Sequence, residues 1–181
     1  IENIKYETER MNKLITSLLD LSKLDSGVTK ETYKEENLSK VVEIACLTFE
    51  SIAYENDLRI SSNIEDNIMF KCNKDEMERL IAIIIDNAIK HSNKKSVINV
   101  NMHKVQNSIS IEITNTGEGI KEGDEEKIFE RFYRADKSRN RKDNRYGLGL
   151  AIAKNIVINH NGIISAYSKD GKTTFKIILK K

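Results

Sequence analysis

Residues 74–92, KDEMERLIAIIIDNAIKHS, restrict the fold more than any other stretch of the chain. Met77, Leu80, Ile81, Ile84, Ile85, Ala88 and Ile89 recur at three- and four-residue spacings, the pattern of a helix with a wide buried stripe. Asn73 followed three residues later by Glu76 reads as a capping box at its start. Against this apolar run stand Asp86, Asn87 and Lys90, and the spacing puts Asn87 and Lys90 on one face. An amide and an ammonium side by side at the edge of a core suit a solubilising surface or a ligand contact. The choice rests on whether loops able to hold an anion lie nearby.

The rest of the composition sets bounds. With 181 residues, 39% hydrophobic and 32% charged, there is room for one domain plus an appendage. No apolar run is long enough to cross a membrane, and no secretion signal is visible. Opening on Ile1, the chain is expected to be a piece of a longer protein. The net charge is +2 with both signs interleaved, which argues against a nucleic-acid surface. Cys46 and Cys72 lie far apart inside apolar patterns, giving neither a metal cluster nor a disulfide framework, and they fit a reducing cytosolic setting. Without any proline, helix ends must be set by caps and glycines.

Residues 1–25 contain no glycine and place Ile4, Met11, Leu14, Leu18 and Leu21 in a seven-residue repeat, with Leu24 also apolar. The expectation is a long amphipathic helix seeking a partner helix, set apart by the polar KETYKEEN stretch and stopped near Gly27. A second helix runs from an Asn37 or Ser39 cap through Val41 to Ala53. Strands are expected around Leu58–Ser62 and residues 68–72, then at 97–103 and 108–114 as a hairpin. A charged helix, EGDEEKIFERFY, should follow, then a polar basic segment over 137–145. A last helix is expected over 148–161, ended by Gly162. Two closing strands, 163–168 and 173–179, turn at Asp170-Gly171. The layout predicted is α/β (α+β): a two-layer sandwich in which one mixed, mostly antiparallel sheet is covered by three helices, preceded by the long amphipathic helix.

Two glycine sites carry candidate chemistry. NTGEGI, residues 115–120, follows directly on a strand; Gly117 and Gly119 permit close approach to a flat ligand, and Asn115 adds an amide. GLGL, residues 147–150, opens a helix, whose free N–H groups and dipole suit phosphate oxygens. Each alone is also compatible with an ordinary turn or helix start. Between them, ADKSRNRKDNR reads as a loop whose cations either close over a polyphosphate or form a solvated face.

The ordered set is more specific: D-N-A-x-K in a helix, strand-N-x-G-x-G-I, F-x-x-F-Y-R, G-L-G-L opening a helix, and a late G-K-T-T-F. It resembles the ATP-binding domain of bacterial sensor histidine kinases, a domain shared with type II topoisomerases, Hsp90-type chaperones and MutL-type repair proteins. The pattern E-x-x-R-M-x-x-L-I-x-x-L-L-x-L-S-K-L-D-S-G is similar to the second helix of the kinases' dimerisation and phosphoacceptor hairpin. The resemblance implies that residues 1–28 are that truncated helix, 29–36 a linker and 37–181 the catalytic ATP-binding domain.

It further implies ATP and Mg²⁺ as ligands. Asn87 would coordinate Mg²⁺, Lys90 would contact phosphate, and His91 would lie beside the nucleotide. Asn115 would meet the adenine amino group, Gly117, Gly119 and Ile120 would shape the adenine pocket, and Thr173 would lie at its floor. Gly147, Leu148, Gly149 and Leu150 would wrap the phosphates, while Tyr133, Arg134 and Lys137 belong to the lid, with Phe129 and Phe132 as its packing anchors. The implied reaction is transfer of the γ-phosphoryl group to a histidine on the first hairpin helix, which this sequence does not contain. No catalytic residue is therefore expected here, and His91, His103 and His160 do not replace the acceptor.

The implied partners are a response-regulator receiver domain and a second copy through the hairpin, with no nucleic acid and no direct membrane contact. The implied setting is the cytoplasmic side of a membrane-anchored parent. Three residues depart from the kinase pattern. Ile83 replaces a first asparagine of the helix motif, Asn115 replaces the commoner aspartate, and Arg145-Tyr146 replaces a small-residue lead-in to GLGL. Because Asn115 lacks a charge, an aspartate there is expected to bind adenine more tightly. Other readings are a regulatory nucleotide-binding module that has lost phosphotransfer, and a serine kinase of anti-sigma type.

Overall fold

The structure is a computed structural model that describes residues 8, 11–12, 14–19, 21–22, 33–134 and 146–180. From Lys34 onward the order is β1 (Lys34–Asn37), α1 (Leu38–Glu55), β2 (Arg59–Ile64), β3 (Met69–Cys72) and α2 (Lys74–His91). There follow β4 (Val97–Val105), β5 (Ser108–Thr116), a 3₁₀ turn (Lys127–Phe129), α3 (Gly149–Asn159), β6 (Ile163–Lys169) and β7 (Lys172–Lys180).

Five strands form the main sheet in the order β2-β4-β5-β7-β6. Among the described residues only the β2–β4 pair is parallel, and α2 lies in the crossover between them. Alternation explains the two layers. Ile98, Val100 and Met102 of β4, Ile109, Ile111 and Ile113 of β5, and Phe175, Ile177 and Leu179 of β7 are all buried. Residues between them are polar except Ile178, and on this outer face Lys176 Nζ pairs with Glu112 Oε1 at 2.7 Å. One apolar face needs one layer of helices, and α1, α2 and α3 supply it. The expected sandwich is present, with one change. β1 and β3 form a separate two-stranded antiparallel ribbon, so there are two sheets rather than one. The KEEN segment carries no apolar alternation, and its pairing with β3 is a tertiary choice.

Local chemistry sets the ends. Asn37 caps α1 by accepting from the N–H of Lys40, and Asn73 caps α2 by accepting from that of Glu76. Behind this cap, buried Glu76 Oε2 accepts no hydrogen bond. The β6–β7 turn takes left-handed φ at Asp170 and Gly171, as a two-residue hairpin demands. At the end of α3 the left-handed residue is Asn161, φ 55°, and not Gly162. Gly162 is small for another reason: a Cβ there would lie 2.7 Å from the oxygen of Ile178. The charged helix expected over EGDEEKIFERFY is not formed. Its middle makes one 3₁₀ turn and the rest is bends, since its only apolar anchors are Ile128 and Phe129 before the exposed Phe132.

Every described residue from Thr8 to Ser22 is helical. Leu21 joins the buried core cluster and Leu14 packs against it, while Met11, Ile15, Leu18 and Leu19 are exposed. Ile4 and Leu24 lie outside the described residues. No described helix is long and apolar enough to cross a membrane.

Candidate functional site

Helix α2 delivers its polar face at its C-terminal end. Met77, Leu80, Ile81, Ile84, Ile85 and Ala88 are buried, which fixes the helix rotation and leaves Asn87 half-buried and Lys90 at the surface. Lys90 forms an ion pair with Asp86 one turn before it. The His91 side chain is exposed, and its main-chain oxygen is what enters the site.

That oxygen meets the end of β5. Asn115 is 2% exposed, and its Nδ2 donates to the oxygen of His91 at 3.2 Å. One residue on, the N–H of Asn93 donates to the oxygen of Thr116 at 2.7 Å. Gly117 makes the approach possible, because a Cβ there would fall on the His91 oxygen. The two motifs are therefore docked to each other.

The loop after β5 is clipped to the β6–β7 hairpin. The N–H of Gly117 donates to the oxygen of Gly171 at 3.0 Å, and that of Ile120 to Ser168 Oγ at 2.8 Å. Ser168 Oγ and Thr173 Oγ1 share a further hydrogen bond of 2.9 Å, and Thr173 stands directly opposite Asn115 in the ladder. Asn115, Gly117, Gly119, Ile120 and Thr173 are thus brought together, with Gly119 at φ +85° against Ser168. The motif reading missed Ser168. The hairpin register would have found it, since Asp170-Gly171 at the turn pairs Ser168 with Thr173.

The GLGL segment meets α2 further from its C-terminal end, at Ile83. Helix α3 starts at Gly149, and no side chain caps its first turn. Ile83 of α2 comes within 3.6 Å of the position a Gly149 Cβ would take. Leu148 is buried, and Leu150 packs against the core, so this segment offers its backbone rather than its side chains. Gly147 has φ +68°, and its oxygen accepts from the N–H of Phe132 at 3.0 Å.

That bond joins the two described ends of the basic segment. Phe129 anchors the first end: it is 6% exposed, with its ring edge-on to Phe175 at 6.3 Å and the Lys154 ammonium 6.0 Å from its centroid. Phe132 is not an anchor. It is 59% exposed with φ 64°, and its backbone rather than its ring holds the loop base. The Tyr133 hydroxyl donates to Asp124, which pushes its pKa up to about 12, while that bond and Lys127 hold the Asp124 carboxyl low. Arg134 is exposed at the end of the described stretch, and Lys137 lies outside it.

The remaining histidines sit elsewhere. His103 is exposed on β4. His160 is buried after α3, where its Nε2 accepts from the N–H of Asn73 at 3.2 Å and its Nδ1 donates to the oxygen of Ile156 at 2.8 Å. Among the described residues, no group of three or more His, Cys, Asp or Glu is placed to hold a metal ion.

Comparison with known proteins agrees with this geometry. The family described as histidine kinase-, DNA gyrase B- and HSP90-like ATPase matches residues 72–181. Sensor protein DltS of Streptococcus agalactiae is 34% identical over 179 residues, covering 99% of this chain and 45% of that protein. Signal transduction histidine-protein kinase ArlS of Staphylococcus aureus is 36% identical over 183 residues, covering 98% and 40%. The chain therefore spans less than half the length of these curated relatives. The Acinetobacter baumannii histidine kinase AdeS shares the fold with a TM-score of 0.78 at 22% identity, covering 99% of this chain and 82% of that one. Histidine kinase ThkA, solved in complex with response regulator protein TrrA, does so with a TM-score of 0.78 at 19% identity, covering 100% and 50%. The docked α2–β5 junction, the uncapped glycine start of α3 and the family match lead to one assignment: the chain, homologous to bacterial sensor kinases, belongs to the histidine kinase-, DNA gyrase B- and HSP90-like ATPases.

Proposed function

We propose that this domain binds ATP with Mg²⁺ and serves as the phosphoryl donor of a sensor histidine kinase, acting on a histidine carried outside this chain. One observation carries the reading. Helix α2 links the two glycine segments: His91 at its C-terminal end, just past Asn87 and Lys90, meets Asn115 and Gly117, and Ile83, about two turns earlier, faces Gly149 at the uncapped start of α3.

In this reading Asn115, Gly117, Gly119, Ile120 and Thr173 receive the adenine. The first-turn N–H groups of Gly149 and Leu150, with the Gly147–Leu148 backbone, receive phosphate oxygens. Lys90 exchanges Asp86 for phosphate, a trade between two anions that leaves the ammonium paired throughout. Tyr133, Arg134 and Lys137 contribute from the lid base. Asn87 supplies a neutral oxygen, which fits a metal that arrives already ligated by phosphates and keeps several waters. Bound there, Mg²⁺ would neutralise charge on the phosphate oxygens.

The reaction breaks the bond between the γ-phosphorus and the ADP oxygen, and forms one to the acceptor imidazole nitrogen. The chain's contribution is positioning and electrostatics, as in other phosphoryl transfers. A response-regulator receiver, a second copy through the helical hairpin and a cytoplasmic position beneath a membrane anchor belong to the same proposal, supported by the likeness to DltS, ArlS and ThkA.

The test has two parts. Calorimetry should show ATP·Mg²⁺ binding that Asn87→Ala weakens. Radiolabel from the γ-position of ATP should then reach a separately supplied hairpin bearing a histidine. Binding without transfer would favour a second reading, a nucleotide-binding module without phosphotransfer, for which the apolar Ile83 beside Gly149 is the specific observation.

A further inference from the structure

Helix α1 buries one face, with Leu38, Val41, Val42 and Ala45 in the core, and carries a second apolar stripe on the opposite side. There Ile44, Leu47 and Tyr54 are 53%, 65% and 80% exposed, and Ser51 is exposed between the last two. Residues 44, 47, 51 and 54 stand three, four and three apart, so they align along one seam about 15 Å long. A single exposed leucine is ordinary on any protein surface. Three large apolar side chains in heptad register form the kind of stripe by which one helix takes another.

The charges beside the seam define what fits it. Glu43 and Glu50 lie on one flank, and Glu55 with Thr48 on the other. All three glutamates are exposed, and none makes an ion pair among the described residues. Lys40 is the only basic residue of the helix. The last turn ends on Glu55 and holds no cation to offset the negative end of the helix dipole. Thr48 adds nothing to the flank, since its hydroxyl donates to the oxygen of Ile44 at 2.8 Å.

We propose that the outer face of α1 is a docking surface for an amphipathic helix of another protein, one whose apolar stripe is flanked by lysine and arginine. Its apolar side chains pack between Ile44, Leu47 and Tyr54, and its basic flanks meet Glu43, Glu50 and Glu55. A second copy of this chain is a poor occupant. Parallel pairing of α1 with itself sets Glu50 against Glu55 of the second copy, and antiparallel pairing sets Glu43 against its Glu50. An anionic lipid surface is repelled by the same three carboxylates. No residue given to the nucleotide belongs to α1, so the docking surface stands or falls separately from nucleotide binding.

The probe is a synthetic helix of about three heptads with leucine at the a and d positions and lysine at e and g, beside a control with glutamate at e and g. By calorimetry the unmodified chain should bind the basic helix at least about tenfold more tightly than the acidic one. Leu47→Gln, which removes the apolar contact without altering charge, should weaken the basic helix about tenfold or more. Glu43→Lys combined with Glu50→Lys should reverse the preference between the two probes. Equal binding of both probes, no binding of the basic one, or binding untouched by Leu47→Gln would overturn the proposal. So would self-association in sedimentation, or cosedimentation with phosphatidylglycerol vesicles, that Leu47→Gln abolishes, because the face would then belong to a second copy or to lipid. Should a variant fail to fold, NMR on the unmodified chain decides: the basic helix should shift the amide signals of Ile44, Leu47, Ser51 and Tyr54, and shifts confined to other elements would overturn the assignment.

Discussion

His160 accepts the main-chain N–H of Asn73 on its Nε2 at 3.2 Å, although 87 residues separate them in the chain. The same ring lies flat on Tyr33, centroids 4.5 Å apart and planes 5° from parallel, and the Tyr33 hydroxyl donates to the oxygen of Asn159 at 3.2 Å. One imidazole thus ties the approach to β1, the cap of α2 and the end of α3. His160→Ala removes the Tyr33 stack, opens a cavity and orphans the Asn73 N–H. It should lower stability by about 3 kcal/mol in urea unfolding, and a loss within error of zero would show that the three elements hold without it.

The same cluster predicts a pH dependence with two opposing slopes. Burial lowers the His160 pKa from 6.5, so as pH falls the unfolded chain takes up this proton before the folded one. Stability from this group is full above pH 6.5 and is lost as pH drops toward the folded value. Glu76, 3.7 Å from His160 Nδ1, runs the other way: burial raises its pKa from 4.5, so its contribution is full below that value and is lost as pH rises through the folded one. Tyr33 and Cys72, each pushed to about 12 chiefly by burial, stay protonated throughout. Between about pH 7 and about pH 5.5, His160→Gln should lose less stability than the unmodified chain, and Glu76→Gln should lose more. Parallel melting-temperature profiles for all three would contradict the assignment.

Gly147 can be tested without touching the adenine side. A Cβ there would stand 2.5 Å from the oxygen of Tyr133, at φ +68°, so Gly147→Ala must break the latch to Phe132. The strain itself costs about 1–2 kcal/mol. The expected outcome is a fall in ATP affinity of tenfold or so, with adenosine affinity unchanged, because the phosphate side alone is displaced. Equal losses for both ligands would place the effect elsewhere.

Ile83→Asn restores an amide beside the start of α3. Ile83 is partly buried against the core, so the change should cost about 1–2 kcal/mol of stability. In return, the gain in ATP affinity on adding Mg²⁺ should rise by roughly tenfold, as added polar support does at metal sites. An unchanged Mg²⁺ dependence in a folded variant would show that residue 83 does not face the metal.

Much of this is legible in the sequence because the signals are periodic or steric. The stripe from Met77 to Ile89 and the alternation in β4, β5 and β7 each have one physical solution, and the structure adopts it. Asp170-Gly171 fixes the last hairpin for the same reason. What escapes depends on groups that do not announce themselves. β1 has no apolar pattern, only main-chain partners on β3. The segment around residue 127 has charges at helical spacing but too little apolar surface to hold a helix. The role of His91 belongs to its backbone oxygen, which no side-chain motif describes. On sequence alone His160 is ordinary packing or surface. Its three-way contact becomes visible only once α2 and α3 are set antiparallel, with Ile83 near Gly149 and Asn73 near His160.

That antiparallel pairing gives the helix layer a mechanical property. Asn87 and Gly149, proposed to face the nucleotide, sit toward one end of the α2–α3 pair, and the His160 anchor joins the pair at the other. An 18-residue helix is about 27 Å long. With His160 as pivot and α2 as lever arm, a tilt of only about 2° at Tyr33 carries the far end through about 1 Å. A displacement of that size at a reacting centre can change a rate by about a hundredfold. Whatever pulls on the chain before β1 therefore has a long handle on the nucleotide end without touching it.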